Sequence, residues 1–471
     1  MSARHVAALA GAFALAGCMV GPDYERPAID LPKAYADGDT AAPFAPLRAD
    51  WWTLYGDATL NELVASALER NADIRLAVAR IEETDANLRE ANATFLPEVD
   101  LGAAGNRSRS SSVTAVPAPA GIPLLRNDLR LSLSTAFELD FWGRLRRGVE
   151  AVRAQALGSR YAKDVVALTL AGLTTQAYFS LRTLEAQIAV TRETLAAREE
   201  SLGFVRARAR GGVASDLDVS QAQGARADAS AQLKELQRQR ALIGHQLGAL
   251  TGRADLALPA GDLRQLPTPP LPPAGLPSSL LERRPDIRQA EQTLISANAQ
   301  IGVARAAMLP TISLTGSYGR QSQALSTLRT DGATIWSAGF GLTLPIFDAG
   351  RYAARSDAAQ ARQRQALAAY QKAVESAFRE VADALTSVQQ TAAAEEDYQS
   401  RADAARRTLR LARLRYDAGY SAYLEVLDAQ RTANDAESAL LRNRQLLLSA
   451  TVDFMKALGG GWSADQATLK P

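Results

Sequence analysis

A chain of 471 residues with 53 Lys+Arg against 51 Asp+Glu has a formal charge of +2, so it lacks the basic field that would hold nucleic acid. One Cys excludes an intramolecular disulfide and a Cys-rich metal site. Two His leave no imidazole cluster for a metal or a Ser-His-Asp centre, and nothing in the composition calls for a cofactor.

The chain opens like a processing signal. Arg4 and His5 precede an apolar run from Val6 to Leu15 that is too short to span a bilayer. Leu15-Ala16-Gly17-Cys18 then resembles the lipobox of bacterial lipoproteins, in which cleavage before the Cys leaves its thiol acylated. Residues 1–17 are thus expected to be a signal peptide and Cys18 a lipid anchor, and loss of His5 would leave His245 as the one imidazole. Met19 stands where inner-membrane retention favours Asp, so the resemblance points to the outer membrane. Beyond the signal no run of about 18 apolar residues could form a transmembrane helix.

From residue 57 onward the chain is an internal repeat. Asp73-Ile74-Arg75 recurs as Asp286-Ile287-Arg288 and Phe95-Leu96-Pro97 as Met308-Leu309-Pro310, both at an offset of 213. Gly143-Arg144 recurs as Gly350-Arg351, Gly212 as Gly419 and Gly252 as Gly459, all at an offset of 207. The repeats occupy 57–252 and 278–459, joined over 253–277 by a connector whose many prolines forbid helix or central strand.

Each repeat begins with a heptad seam, Ile74, Ile81, Leu88 and Phe95 in the first and Ile287, Leu294, Ile301 and Met308 in the second. Pro97 and Pro310 end these helices. Period-two stretches follow at about 98–140 and 311–347 and predict a hairpin in each repeat. Leu129, Leu131, Leu133, Phe137 and Leu139 alternate with Arg130, Ser132, Ser134 and Glu138; Phe340, Leu342, Leu344 and Ile346 alternate with Gly339, Gly341 and Thr343. The alternation fits two structures, a soluble hairpin with one buried face or a tilted membrane strand. Four strands cannot close a barrel and lipid tolerates no open edge, so a membrane barrel here would have to be oligomeric.

Ala-rich stretches over 144–209 and 351–416 predict helices that would each reach roughly 100 Å, longer than any compact single-core domain needs. Leu367, Val374, Val381 and Val388 keep heptad spacing in the second. Gly-containing turns at Gly211-Gly212-Val213 and Gly419-Tyr420-Ser421 lead into helices over 216–252 and 422–458, which with the helices before the strands could flank the long ones.

Several motifs together give the chain a family resemblance over almost its whole length. Cys18-Met19-Val20-Gly21-Pro22-Asp23-Tyr24-Glu25-Arg26-Pro27, Trp51-Trp52, Phe141-Trp142-Gly143-Arg144, Glu282-Arg283-Arg284-Pro285-Asp286-Ile287 and Pro345-Ile346-Phe347 before Gly350-Arg351 are similar to the outer membrane factor lipoproteins of tripartite efflux systems, the NodT and OprM branch of the TolC family. The resemblance implies a mainly α fold with a membrane β-barrel contribution. It implies a TolC-like homotrimer, four strands per chain in a shared 12-stranded barrel and a long periplasmic coiled-coil tunnel. Residues 18–56, the connector and the tail 460–471 would build an equatorial collar. It also implies work with a periplasmic adaptor and an inner-membrane pump of the resistance-nodulation-division type, and passive conduction of drugs or other small toxic compounds.

The same resemblance places a periplasmic gate at Leu424, Glu425 and Asp428, with Tyr416 and Asp218 as members of a closing network and Asp216 beside them. Ser421 stands where some relatives have Arg, which argues against a salt-bridged latch. Asp216 and Asp218 read equally well as helix caps, because Ser215 with Asp218 three residues on has the form of a capping box. The turns Gly211, Gly212, Val213, Gly419, Tyr420 and Ser421 would meet the adaptor, and Arg206, Arg208 and Arg210 read as a solvated face or an adaptor contact. The alternatives are an outer-membrane duct for type I protein secretion, a periplasmic coiled-coil lipoprotein, and a lipid-tethered enzyme, for which no catalytic constellation is found.

Overall fold

The computed structural model of the protein describes residues 19–30, 32, 48–113, 123–270 and 283–462. Cys18 with the signal segment, residues 271–277 of the connector and the tail after Trp462 lie outside the described residues. The chain divides into two compact units. One comprises Met1–Pro27, Glu82–Ala156 and Glu291–Ala369; the other comprises Ala28–Ile81, Leu157–Ala290 and Tyr370–Pro471.

The helices are α1 (Ala58–Arg70), α2 (Ala72–Ala93), α3 (Arg144–Arg210), α4 (Asp216–Thr251), α5 (Pro285–Ala306), α6 (Arg351–Asp417) and α7 (Tyr423–Ala457). α3 and α6 each run 67 residues through the two Ala-rich stretches. No described helix is apolar and long enough to cross a membrane.

In the first unit β1 (Glu98–Arg109), β2 (Leu125–Leu139), β3 (Thr311–Ser322) and β4 (Thr334–Thr343) form one antiparallel sheet in sequence order. Leu101 pairs with Leu133, Leu133 with Tyr318, and Tyr318 with Trp336. Because side chains alternate along a strand, this register gathers Val99, Leu101, Leu131, Leu133, Phe137, Leu314, Phe340 and Leu342 onto one face. Asp100, Ser132, Ser134, Ser317, Ser337 and Gly339 take the other. The apolar face is bare: Leu101 is 69 %, Trp336 75 % and Phe340 78 % exposed. A soluble hairpin needs one face covered, and this chain covers neither.

β4 stops short of the expected hairpin end. Its last residue, Thr343, already pairs with Thr311, the first residue of β3, and Pro345 has no N–H to extend the ladder. Leu344 and Ile346, expected to continue the alternation, therefore lie beyond the strand and are exposed.

Residues 19–27 lie along α3 and α5 in this unit. Val20 N–H donates to Trp142 O at 3.1 Å, Asn298 Nδ2 to Pro22 O at 2.8 Å, and Trp142 Nε1 to Pro310 O at 2.7 Å. Arg26 reaches the buried Glu291 at 2.7 Å, while the buried Arg147 pairs with Asp23 and Glu150. Gly21 has φ +104°, and a Cβ there would lie 2.6 Å from Gly302 Cα, so only glycine fits this crossing.

The second unit holds a mixed core. Trp51 and Tyr55, then Leu60, Leu63 and Val64 of α1, pack with Tyr178 and Phe179 of α3, Leu263 and Leu266 of the connector, and Leu448, Val452 and Met455 of α7. Each large apolar side chain buried this way contributes about 1.5–3 kcal/mol of transfer free energy. Tyr55 adds a hydrogen bond with Thr451 Oγ1 at 2.7 Å and an edge contact with Phe179.

A buried ion cluster fastens the connector to α3. Arg182 and Glu185 pair at 2.7 Å with only 5 % and 8 % of their side chains exposed, and Arg240 reaches Glu185 at 2.8 Å. Arg182 also donates to Pro259 O at 2.7 Å, and Gly261 N–H donates to Glu185 at 3.2 Å.

The two heptad seams, equivalent in sequence, are buried unequally. On α5, Ile287, Leu294 and Ile301 are 0 %, 1 % and 4 % exposed. In the first repeat Ile74 is 9 % exposed, Ile81 and Leu88 are half-buried, and Phe95 just after α2 is 38 % exposed.

Candidate functional site

The two helical turns of the second unit share one construction. At the end of α3, Val213 N–H donates to Arg208 O and Gly212 N–H to Ala209 O; at the end of α6, Tyr420 N–H donates to Arg415 O and Gly419 N–H to Tyr416 O. This paired pattern satisfies the last carbonyls and requires a left-handed residue, which Gly212 at φ +75° and Gly419 at φ +79° supply. Gly211 precedes the first of these caps. Val213 and Tyr420 stand outward at 66 % and 80 % exposure.

The helix starts differ. Ser215 and Asp218 make a full capping box at α4: Asp218 N–H donates to Ser215 Oγ at 3.2 Å, and Ser215 N–H donates to Asp218 Oδ2 at 2.9 Å. The bonds it accepts from the Ser215 N–H and hydroxyl hold the Asp218 carboxyl below its usual range. Asp216 lies in the same first turn, where negative charge meets the helix dipole. α7 starts after Ala422 with no side-chain cap, and the preceding Ser421 Oγ is buried with no hydrogen-bond partner among the described residues.

The expected Tyr416–Asp218 bond is not made in the single chain. Asp218 is engaged by its near neighbour Ser215, whereas Tyr416 sits in an aromatic group with Phe204 at 6.5 Å and Tyr423 at 5.4 Å between ring centroids. The Arg208 guanidinium lies over both Phe204 (5.8 Å) and Tyr416 (5.6 Å). Burial pushes the Tyr416 hydroxyl up and Arg208 pulls it down. Around this group Leu202, Val205, Ala222, Ala412, Val426 and Ala429 form one apolar cluster from α3, α4, α6 and α7.

Of the expected gate residues, Leu424 is 59 % exposed, Glu425 reaches Arg415 at 3.4 Å and Asp428 reaches Arg431 at 2.7 Å. Both ion pairs are open to solvent and hold these side chains weakly. Phe204, Arg208 and Tyr423 were not singled out from sequence as partners of Tyr416. The spacing of Phe204 and Arg208 by one helical turn is the local signal that could have joined them. His245 is exposed on α4. Among the described residues no cluster of His, Cys, Asp and Glu could hold a metal.

Comparison with known proteins matches the family described as "Outer membrane efflux protein" over residues 63–253 and 276–460, one segment for each repeat. The outer membrane protein OprJ of Pseudomonas aeruginosa is 36 % identical over 470 residues, covering 98 % of this chain and 97 % of that protein. The solvent efflux pump outer membrane protein SrpC of Pseudomonas putida is 35 % identical, covering 96 % and 97 %. The crystal structure of the open state of the Neisseria gonorrhoeae MtrE outer membrane channel superposes with a TM-score of 0.84 at 32 % identity, covering 94 % of this chain and 98 % of that one.

Proposed function

The chain belongs to the outer membrane efflux protein family and is a TolC-like outer-membrane efflux channel; on that premise we propose that three copies close one barrel and form the exit duct of a tripartite pump. The observation that carries this reading is the sheet. A continuous apolar face bare to its surroundings, with an unpaired edge on β1 and another on β4, is stable in lipid only when neighbouring copies complete the ring. The half-buried seam of α2 supports the same conclusion, since its twin on α5 is covered within the chain.

Conduction would be passive, with a resistance-nodulation-division pump supplying energy and a periplasmic adaptor meeting the turns at Gly211, Gly212, Val213, Gly419, Tyr420 and Ser421. Three copies of Leu424, Glu425 and Asp428 would converge as an apolar constriction and a cation-attracting ring. The neutral Ser421 leaves the closing contact to Arg208 and its aromatic partners. A cation–π contact contributes about 1 kcal/mol, so its loss would shift closed against open by about fivefold per copy. In planar bilayers Arg208→Ala should raise single-channel conductance, whereas Tyr416→Phe and Asp218→Ala should leave it near wild type. Unchanged conductance in Arg208→Ala, or an open channel in Asp218→Ala, would move the latch elsewhere.

Cys18 would carry lipid, and the residue after it, Met19, lies against Gly143 at the β2–α3 junction. Labelled fatty acid should enter the wild type and not Cys18→Ser, yet Cys18→Ser should stay in the membrane, since the strands bury far more apolar area than the acyl chains. A fully soluble Cys18→Ser protein would rule out the barrel.

A further inference from the structure

We infer that the rim of the sheet away from the helices binds the phosphates of the outer-leaflet glycolipid through Arg107 and Arg109, an inference that rests on the outer-membrane barrel proposed above.

The β1–β2 and β3–β4 connections leave the sheet at one end, and α2, α3, α5 and α6 join it at the other. Arg107 pairs with Asn127 and Arg109 with Leu125, the last rungs at the connection end. Both share the parity of Val99, Leu101 and Ala103, so their side chains rise on the apolar face and not on the polar one. Both are exposed, and among the described residues no carboxylate forms an ion pair with either side chain. Tyr318 and Trp336, 63 % and 75 % exposed, lie opposite each other on the same face, and Arg320 follows two residues beyond Tyr318.

On β3 the apolar face carries Tyr318, beside Trp336 of β4, and then Arg320; on β1 it runs from Leu101 through Ala103 and Gly105 to Arg107 and Arg109, while Leu131, Leu129 and Leu125 continue it on β2. That sequence marks a membrane–water boundary, where amphipathic rings meet headgroups. No strand residue on this face is acidic: Glu98, Asp100, Asp128 and Glu138 all take the opposite parity. Guanidinium groups on the lipid side, with no carboxylate on that face to neutralise them, need anions from the lipid. The bacterial outer leaflet supplies phosphate monoesters, and guanidinium binds them bidentately. Arg320 is partly committed, since Nη1 donates to Leu328 O and Thr330 O at 3.4 Å, so Arg107 and Arg109 are the principal ligands.

The test uses full-length protein in phosphatidylethanolamine vesicles containing intact or dephosphorylated lipopolysaccharide, with glycolipid retained per trimer and trimer dissociation temperature as readouts. Wild type should retain intact lipopolysaccharide and gain thermal resistance from it. Arg107→Ala with Arg109→Ala should retain about tenfold less, the loss expected when bidentate contacts are removed. Arg107→Lys with Arg109→Lys should fall between. Arg126→Ala with Arg130→Ala, on the opposite face, should behave as wild type. Equal retention by wild type and the Arg107/Arg109 variant, or of intact and dephosphorylated glycolipid, overturns the inference. So does inorganic phosphate alone raising the dissociation temperature as far as lipopolysaccharide does, because the site would then take a free anion. Embedded trimers in every variant with unchanged glycolipid would sink this inference alone, whereas failure of the wild type to embed as a trimer would sink the barrel itself.

Discussion

Leu133→Arg is expected to abolish most of the heat-resistant trimer, while Ser132→Arg one residue earlier assembles and alters conductance. Leu133 lies between Leu101 and Tyr318 in the middle of the apolar face, and Ser132 lies between Gly102 and Gly319 on the polar one. A cation near the bilayer midplane costs about 2–4 kcal/mol per site, and three copies would carry it, whereas a cation facing water in a channel costs little. The comparison needs outer-membrane fractions run with and without heating, and bilayer conductance for the variant that assembles. Equal tolerance at the two positions would mean that the bare face does not meet lipid.

Glu185→Ala should produce the largest loss of stability in the helical unit. It leaves Arg182, 5 % exposed at the side chain, with Pro259 O and the face of Tyr178 as its remaining partners among the described residues, and it frees Gly261 from α3. Removing one partner of a buried pair costs about 3–5 kcal/mol, more than the pair contributes, because the remaining charge is left dry. Arg240 is 41 % exposed and can return to water, so Arg240→Ala should cost much less. Replacing Arg182 and Glu185 together with Met should recover much of the loss. Denaturant midpoints followed by far-ultraviolet circular dichroism would order these variants; a double variant no better than Glu185→Ala would show that the cluster acts through its hydrogen bonds to the connector and not through desolvation.

The helical part of this fold is legible because its signals are long and repeated. Heptads at two matched offsets, and prolines that end both helices before the strands, mark the elements without any tertiary information. The capping box at Ser215 and Asp218 is legible for the same reason, since its partners are three residues apart.

β1 is much less legible. Gly102, Ala103, Ala104 and Gly105 erase the contrast between faces in the middle of the strand, and only the register against β2 reveals that Val99 and Leu101 belong with Leu133. The aromatic contact around Tyr416 was hidden by distance along the chain. Phe204 and Arg208 lie one helical turn apart on α3, but Tyr416 is on α6 and nothing local ties it to them. Resemblance to relatives also led away from it, by pairing Tyr416 with Asp218, whose carboxylate is already engaged.

The unequal cover of the two heptad seams separates two kinds of mutational sensitivity. Truncations at Leu294 or Ile301 open a cavity inside one chain, so their cost is independent of protein concentration. If another copy covers the α2 seam, as proposed, truncations at Ile81 or Leu88 should instead weaken association, so their cost enters through mass action and grows as the protein is diluted. In a duplicated sequence two matched seams would thus respond differently to dilution, the one on α5 through the fold of the subunit and the one on α2 through its association.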